Sequence, residues 1–307
     1  MAARDAEKWI GAAVESVLAQ DMRALELIMV DDGSRDDTSS RALEAAAGDK
    51  RLSIIEQPQR GLSAARNAAI SAARGEWITF VDADDIVDPR MLSTLLGVGR
   101  TRRTQAVSSP LQPFWSKPHL YTRTPGGSRF YDSHVAVAMA LLRRGLDSSV
   151  CGKLYSRELF EGLRFTEGKH YEDLDIFYRL WLRSDGVAHV HFPFYFYRQH
   201  PESFLHRWSP ARTDVLDVAA RMERFMREQC PELLGVARVR SFRAACNVIR
   251  AMHFYRVKDP ATRSRCLRII ANRRTDVLFS RGPRLRDKIA ALGALFIKPT
   301  NTKPSHS

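Results

Sequence analysis

Long apolar runs are missing from this 307-residue chain, and their absence excludes a membrane-spanning helix, which needs about 20 such residues. The longest late run, residues 289–297, is about half that length. The start lacks the charged, then apolar, then small-residue order of a secretory signal. Cysteine is scarce: Cys151, Cys230, Cys246 and Cys266 stand far apart, without the close pairs of a zinc site, and read as free thiols in a reducing cytoplasm. No nucleophilic serine or cysteine constellation, internal repeat or low-complexity tract is visible. Acids are scarce in one place only. From Arg238 onward there are 17 lysines and arginines against three acids, a net charge of +14, whereas the 237 residues before it carry 31 against 32. Excess charge confined to a tail argues against a nucleic-acid groove through the fold. It fits attraction to an anionic membrane surface.

The first two thirds of the chain alternates helical and strand patterns. Trp9, Ile10, Ala13, Val14, Val17 and Leu18 recur at helical spacing. Residues 25–30 form a short apolar run that stops at Asp31, and residues 76–81 form another that stops at Asp82. Ser34 with Asp37 predicts a capped helix to Ala47, residues 52–56 a strand, Ser63 the cap of a helix to Arg74, and Asp88-Pro89 the start of another helix. Such alternation predicts an α/β fold with a mostly parallel, doubly wound sheet, whose ligands sit outside the carboxyl ends of the strands. Residues 101–149 are loop-rich, with one helix over 134–144; residues 171–181 read as a helix and 189–198 as a strand. Helices are expected over 214–229, 237–256, 261–272 and 284–297.

Both strand-ending acids carry companions. In Asp31-Asp32-Gly33-Ser34 a carboxylate can accept hydrogen bonds from a base or ribose while Gly33 permits a tight turn. The same residues would equally serve as a turn and a cap. In Asp82-Ala83-Asp84-Asp85 two carboxylates one residue apart can share a divalent metal, or divide into a ribose contact and a metal ligand. Clustered carboxylates repel, which calls for a compensating partner.

These motifs, with Glu15-Ser-Val-Leu-Ala-Gln20, Gly61-Leu-Ser-Ala-Ala-Arg-Asn-Ala68 and Phe80-Val-Asp-Ala-Asp-Asp85, resemble the nucleotide-binding half of the family 2 glycosyltransferases. Lys153-Leu-Tyr155, Tyr171-Glu-Asp173 and Tyr195-Phe-Tyr-Arg198 match that family's more variable acceptor side. The resemblance covers residues 3–205 and is specific in the first hundred. It implies a GT-A fold, Rossmann-like, with a nucleotide-sugar half at 1–100, an acceptor half at 101–209 and a basic helical extension at 210–307. It implies an inverting transfer from a nucleoside diphosphate sugar, a UDP-sugar above others, to a glycan or lipid-linked acceptor in cell-envelope polysaccharide synthesis. By position, Asp31 and Asp32 fall where the family contacts the base. Arg66, Asn67 and Ala83 fall near the nucleotide, Asp82 at the ribose or diphosphate, and Asp84 at Mn²⁺ or Mg²⁺. Glu172-Asp173 resembles the pair in which one carboxylate deprotonates the acceptor; Asp173 is the expected base, with Glu172 next in line. These two would also suit a solvated helix start, where acids complement the macrodipole. His200 is a second candidate metal ligand, and Lys153 and His206 are lesser candidates. The aromatic run from Phe192 to Tyr197 reads mainly as core.

One departure concerns the start. The family opens with an apolar strand ending in Pro-x-Tyr-Asn, and Ala2-Ala-Arg-Asp5 stands where that motif ends. The first, central strand is therefore expected to be almost wholly absent, through a start codon assigned too far downstream. Two other classes compete: a truncated, catalytically impaired binding protein, and a nucleotidyltransferase, which would want a glycine-rich phosphate loop near the start. The tail carries Arg281, Arg284, Arg286 and Lys288 followed by Ile289, Leu292, Leu295, Phe296 and Ile297, as in an interfacial helix or one packed on the catalytic domain. The expected location is cytoplasmic, peripheral at the inner face of the plasma membrane.

Overall fold

The apolar run before Asp31 forms strand β2 (Leu27–Asp31), every residue of which is buried. Strand β1 (Ala2–Ala3) pairs with it in parallel, Ala2 beside Val30 and Ala3 beside Asp31, and β3 (Leu52–Glu56) lies on its other edge. Helices α1 (Ile10–Leu18) and α2 (Thr38–Ala46) make the crossovers that parallel neighbours require. α1 buries Ile10, Ala13, Val14 and Val17, one helical face, where each larger side chain contributes about 1.5–3 kcal/mol. The expected loss of the first strand is thus partial: two residues hold its place. The computed structural model describes residues 1–122, 126–201, 207–280 and 282–296; the lesser candidate His206, and Arg281 and Ile297 of the tail, lie outside the described residues.

A second sheet runs β4 (Trp77–Ile78), β9 (Lys153–Ser156), β6 (Ala106–Ser108), β10 (Val187–Val190) and β8 (Ser128–Tyr131). Only β6 and β10 are parallel within it. A third joins β5 (Ile86–Val87), β11 (Tyr195–Arg198) and β7 (Leu111–Phe114). Helices α3 (Leu62–Ala72), α4 (Met91–Arg102) and α6 (Glu172–Arg183) complete this unit, which comprises Met1–Val137 and Gly145–His200. The first sheet is wholly parallel, whereas the second half mixes the parallel pairs β6–β10 and β7–β11 with four antiparallel ones.

Three local expectations are corrected. Residues 189–198 form two strands, β10 and β11, because Pro193 interrupts the run and cannot donate to a ladder. Ser34 does not cap α2: its hydroxyl accepts from the Asp5 amide, and Asp36 Oδ1 accepts from the Thr38 amide instead. Ser63 lies inside the first turn of α3, which starts after Gly61 at φ 94°, a conformation suited to glycine.

Helix α5 (Ser133–Leu142) runs from the first unit into the second, which comprises Ala138–Arg144 and Pro201–Ser307. There α7 (Asp214–Gln229), α8 (Leu234–Phe254), α9 (Pro260–Phe279) and α10 (Leu285–Gly293) pack in succession. The tail's three acids are all engaged: Asp259 caps α9 at Thr262, Asp276 pairs with Arg238 at 3.0 Å, and Asp287 pairs with Arg243 in the interior. Among the described residues no helix is long and apolar enough to cross a membrane.

Candidate active site

β1 sits between the two aspartate clusters. Ala3 is paired with Asp31 on one side, and Ala2 is bridged in parallel to Asp82 on the other. Two residues of strand therefore bring the ends of two distant apolar runs to one edge, outside the strands' carboxyl ends. The Met1 amino group, buried beside Arg66, is lowered to about 6, chiefly by burial and next by that cation.

Asp31 and Asp32 are buried and fully engaged. Asp31 accepts from the Ser34 amide at 2.8 Å and the Ser39 hydroxyl at 2.6 Å. Asp32 accepts from Gln57 Nε2 at 2.6 Å, the Arg60 amide at 2.8 Å and the Gly61 amide at 2.7 Å, so it holds the loop that leads into α3. Gly33, at φ 73°, makes this possible, since a Cβ there would lie 2.9 Å from the Gln59 nitrogen.

The central element is Arg66, on the buried face of α3 rather than on a helix surface. Its guanidinium reaches Asp82 at 2.7 Å and Glu172 at 2.6 Å, and it lies 5.4 Å from the Phe165 ring centroid and 5.9 Å from that of Phe80. Burial works against its charge, but Asp82 and Glu172 outweigh that cost and hold it protonated well beyond an ordinary arginine. One cation thus ties the acid that ends the Trp77–Asp82 run to the acid that opens α6. Asn67 points elsewhere: its amide donates to the Phe165 carbonyl at 3.0 Å and accepts from the Phe165 amide at 2.9 Å, clamping that loop.

Asp173 follows Glu172 in the first turn of α6, behind Tyr171 at φ 63°. Burial first, and the adjacent Glu172 charge second, push its carboxyl up to about 7, with Arg66 pulling the other way. A carboxylate with that value can take a proton near neutral pH. Asp84 Oδ2 lies 3.1 Å from His200 Nε2 across 116 residues of chain, and burial followed by Asp82 raises the Asp84 carboxyl. The two are hydrogen-bonded to each other, and the carboxylate is the hard oxygen ligand type that Mn²⁺ or Mg²⁺ takes. Ala83, between Asp82 and Asp84 in the sequence, is buried. Lys153 is a buried ion pair with Asp147 at 2.8 Å rather than a solvated loop residue. Phe192, Phe194, Tyr195 and Phe196 are core, as the aromatic run suggests.

Sequence reasoning missed the support beneath these acids. Asp85 is buried and accepts from the Tyr195 hydroxyl at 2.6 Å and the Arg198 amide at 2.8 Å; burial, then Asp82 and Asp84, push its carboxyl up to about 9. The same Tyr195 oxygen accepts from the Asp82 amide at 3.0 Å, and Arg198 Nε donates to the Asp84 carbonyl at 2.7 Å while stacking on Trp9 and Phe114. The available signal was a polar group at each end of the Tyr195–Arg198 strand.

Comparison with known proteins shows the family and the fold. The family model described as glycosyl transferase family 2 matches residues 1–164, more than half of the chain. EpsH of Bacillus subtilis is 29% identical over 213 residues, 68% of this chain and 62% of that protein. Glycosyltransferase GlyA of Streptococcus pneumoniae is 29% identical over 217 residues, 66% of this chain but 30% of GlyA. The chain thus spans less than two thirds of the length of these relatives. Among solved structures, S. aureus TarS 1–349 in complex with UDP-GlcNAc superposes with a TM-score of 0.68 at 15% identity, covering 90% of this chain and 80% of that one. The shared architecture is the GT-A fold.

Proposed function

Since the chain belongs to glycosyl transferase family 2, we propose that it moves a sugar from a nucleoside diphosphate sugar to a hydroxyl of a glycan or lipid-linked acceptor, in polysaccharide synthesis, with inversion at the anomeric carbon. The observation that carries this reading is the Arg66 bridge, which holds the donor-side Asp82 and the acceptor-side Glu172 on one guanidinium. The ligand of TarS, a neighbour in fold, favours a UDP-sugar.

Asp173 takes the proton from the acceptor hydroxyl. That oxygen attacks the anomeric carbon from the face opposite the diphosphate, the carbon–oxygen bond to the diphosphate breaks, and the nucleoside diphosphate leaves. Glu172, fixed by Arg66, keeps Asp173 at the mouth of α6 and raises its basicity. Asp31 and Asp32 shape the base-binding turn through the loop contacts already described, with Asn67 holding the neighbouring backbone. Asp82 takes the ribose or diphosphate side, with the buried Ala83 next to it in the chain, near the nucleotide. Asp84 and His200 are the residues that would hold Mn²⁺ or Mg²⁺. Such an ion, when bound, would neutralise charge on the departing diphosphate.

The acceptor reading draws on the second unit. Leu285, Ile289 and Leu292 recur along one face of α10 and are 75, 60 and 52% exposed, with Arg286 and Lys288 between them. Apolar side chains on an exposed basic helix suit an anionic membrane surface, where lipid-linked acceptors lie.

Incubation with UDP-sugars, Mn²⁺ and candidate acceptors tests the main claim, with the product's anomeric configuration read by NMR. Inverted product is expected. Metal-dependent UDP binding without transfer or hydrolysis would favour the impaired binding protein, and retained configuration would overturn the single displacement.

A further inference from the structure

The second unit encloses a cavity among its own helices. α8 packs against both α7 and α9. α7 and α9 are bridged by side chains: Arg265 reaches Asp217 at 2.6 Å, and Arg273 reaches Glu223 at 2.7 Å. Both numbers in each pair rise together, so the two helices run in the same direction, spaced by long arginines. In the gap lies a cavity of about 230 Å³. That is roughly eight times a water's share of liquid volume, room for a phosphate group with a short alkyl arm.

The cavity is polarised along the helices. Toward the start of α7 its walls are Leu216, Ala220 and, from α9, Ile269. Farther along, the lining turns polar, with Arg224, Arg227 and, from α9, Asn272 at the exposed rim. The α7 positions recur at steps of three and four and so share one helical face. Ser241 of α8 lies beneath the polar end. Arg238 pairs with Asp276, and α8 runs against α9 there, so three residues on from Arg238 is level with Arg273.

Charge at the polar end is unbalanced. Glu223 is the one acid in the lining, and both of its oxygens accept from Arg273, at 3.2 and 2.7 Å, a fork that neutralises it. Arg224 and Arg227 form no ion pair or hydrogen bond with any described residue, and neither does the Asn272 amide. The Ser241 side chain is 4% exposed, and its hydroxyl has no hydrogen-bond partner among the described residues. Buried hydroxyls are seldom left that way. Two cations, an amide and a hydroxyl around one space call for an anion rich in acceptor oxygens, and the apolar end calls for hydrocarbon attached to it.

We propose that this cavity is a binding site for an alkyl phosphate monoester. Near neutral pH such a group carries close to two negative charges and three acceptor oxygens, which suit two unpaired guanidiniums. Asn272 and Ser241 donate to the remaining lone pairs, and the alkyl arm runs along Leu216, Ala220 and Ile269. The headgroup of a monoester phospholipid and a soluble phosphate ester share this chemistry.

The test titrates butyl phosphate into the whole chain at pH 8 by calorimetry. Saturable binding is expected, about fivefold or more tighter than that of inorganic phosphate, because the arm buries methylenes. Arg224→Glu with Arg227→Glu should weaken it by about tenfold or more. Lys258→Glu with Arg263→Glu makes the same charge change at exposed positions outside the lining and should stay within about twofold. Ala220→Leu leaves every charge in place and narrows the apolar end, so it should cost butyl phosphate about tenfold and inorganic phosphate much less. Absence of saturable binding, or equal losses in the two charge-reversed variants, would overturn the proposal. So would an unchanged affinity in Ala220→Leu, which would reduce the site to surface charge. Sedimentation with vesicles containing phosphatidic acid separates the two sources. Release of the vesicles by butyl phosphate assigns the site to the lipid headgroup, and butyl phosphate binding without such release assigns it to a soluble ester. None of these readouts needs turnover, so they stand apart from the transferase reading.

Discussion

Replacing Arg66 by methionine keeps an unbranched side chain between Phe80 and Phe165 but removes the cation shared by Asp82 and Glu172. Breaking a buried pair by deleting one partner costs about 3–5 kcal/mol. The Asp82 side chain is 35% exposed, so water screens its share and the lower end of that range applies; Glu172, at 12%, bears most of the loss. For a folded unit of this size, about 2–4 °C per kcal/mol converts a loss near 3 kcal/mol to a midpoint lower by about 6–12 °C. Circular-dichroism melts at pH 8 measure it. Arg66→Lys should fall less, because it keeps the charge while losing the two-pronged reach. A second consequence follows at Asp173, whose carboxyl burial and Glu172 push up to about 7 even with Arg66 holding it down. The proposed base must be ionised to work, so activity in the native protein is expected to rise with pH through about 7. Without Arg66 that rise shifts to higher pH. A midpoint within about 2 °C of native, or a pH profile that does not move, would refute the idea that one guanidinium serves both acids.

Asp173→Asn should lower transfer by about 10²–10⁴ while leaving UDP binding within a few-fold, checked by steady-state rates and calorimetry. Because the folded carboxyl sits near 7, above its ordinary 3.8, the native protein loses stability as pH rises between those values. The asparagine variant escapes that loss, and its midpoint relative to native should be higher at pH 8 than at pH 4. Asp84→Asn should reduce the gain in UDP affinity on adding Mn²⁺ by about tenfold or more, read by titration with and without the ion. Replacing both Leu285 and Ile289 by glutamate should abolish flotation with anionic vesicles and leave transfer to a soluble acceptor unchanged; undiminished flotation would remove the membrane reading.

The acids of the candidate site were legible because they stand where apolar runs stop. A buried strand that ends on a carboxylate leaves a signal in one dimension, and Asp31 and Asp82 both carry it. Arg66 was not legible in that way. The α3 segment is rich in alanine, which packs on any side of a helix, so periodicity does not say whether position 66 faces water or the core. The Asp84–His200 and Asp85–Tyr195 contacts join residues more than a hundred positions apart, and local pattern holds no record of such pairings. The antiparallel insertion of β9 between β4 and β6 was hidden for the same reason. The break between β10 and β11 was visible in Pro193, but the flanking Phe192 and Phe194 are both buried and made the run look continuous.

The Arg66 bridge also has a schedule. Ribosomes add about 5–20 residues per second, so Asp82 follows Arg66 within about 1–3 s, whereas Glu172 arrives only after about 5–20 s. Through that interval the nascent first half carries a cation meant for the interior with one of its two counter-ions still unmade. Its final packing waits on a residue from the later part of the same unit. The helix that opens with Glu172 therefore sets when the amino-terminal half can close, and a nascent chain stalled short of residue 172 should remain open to proteases and chaperones.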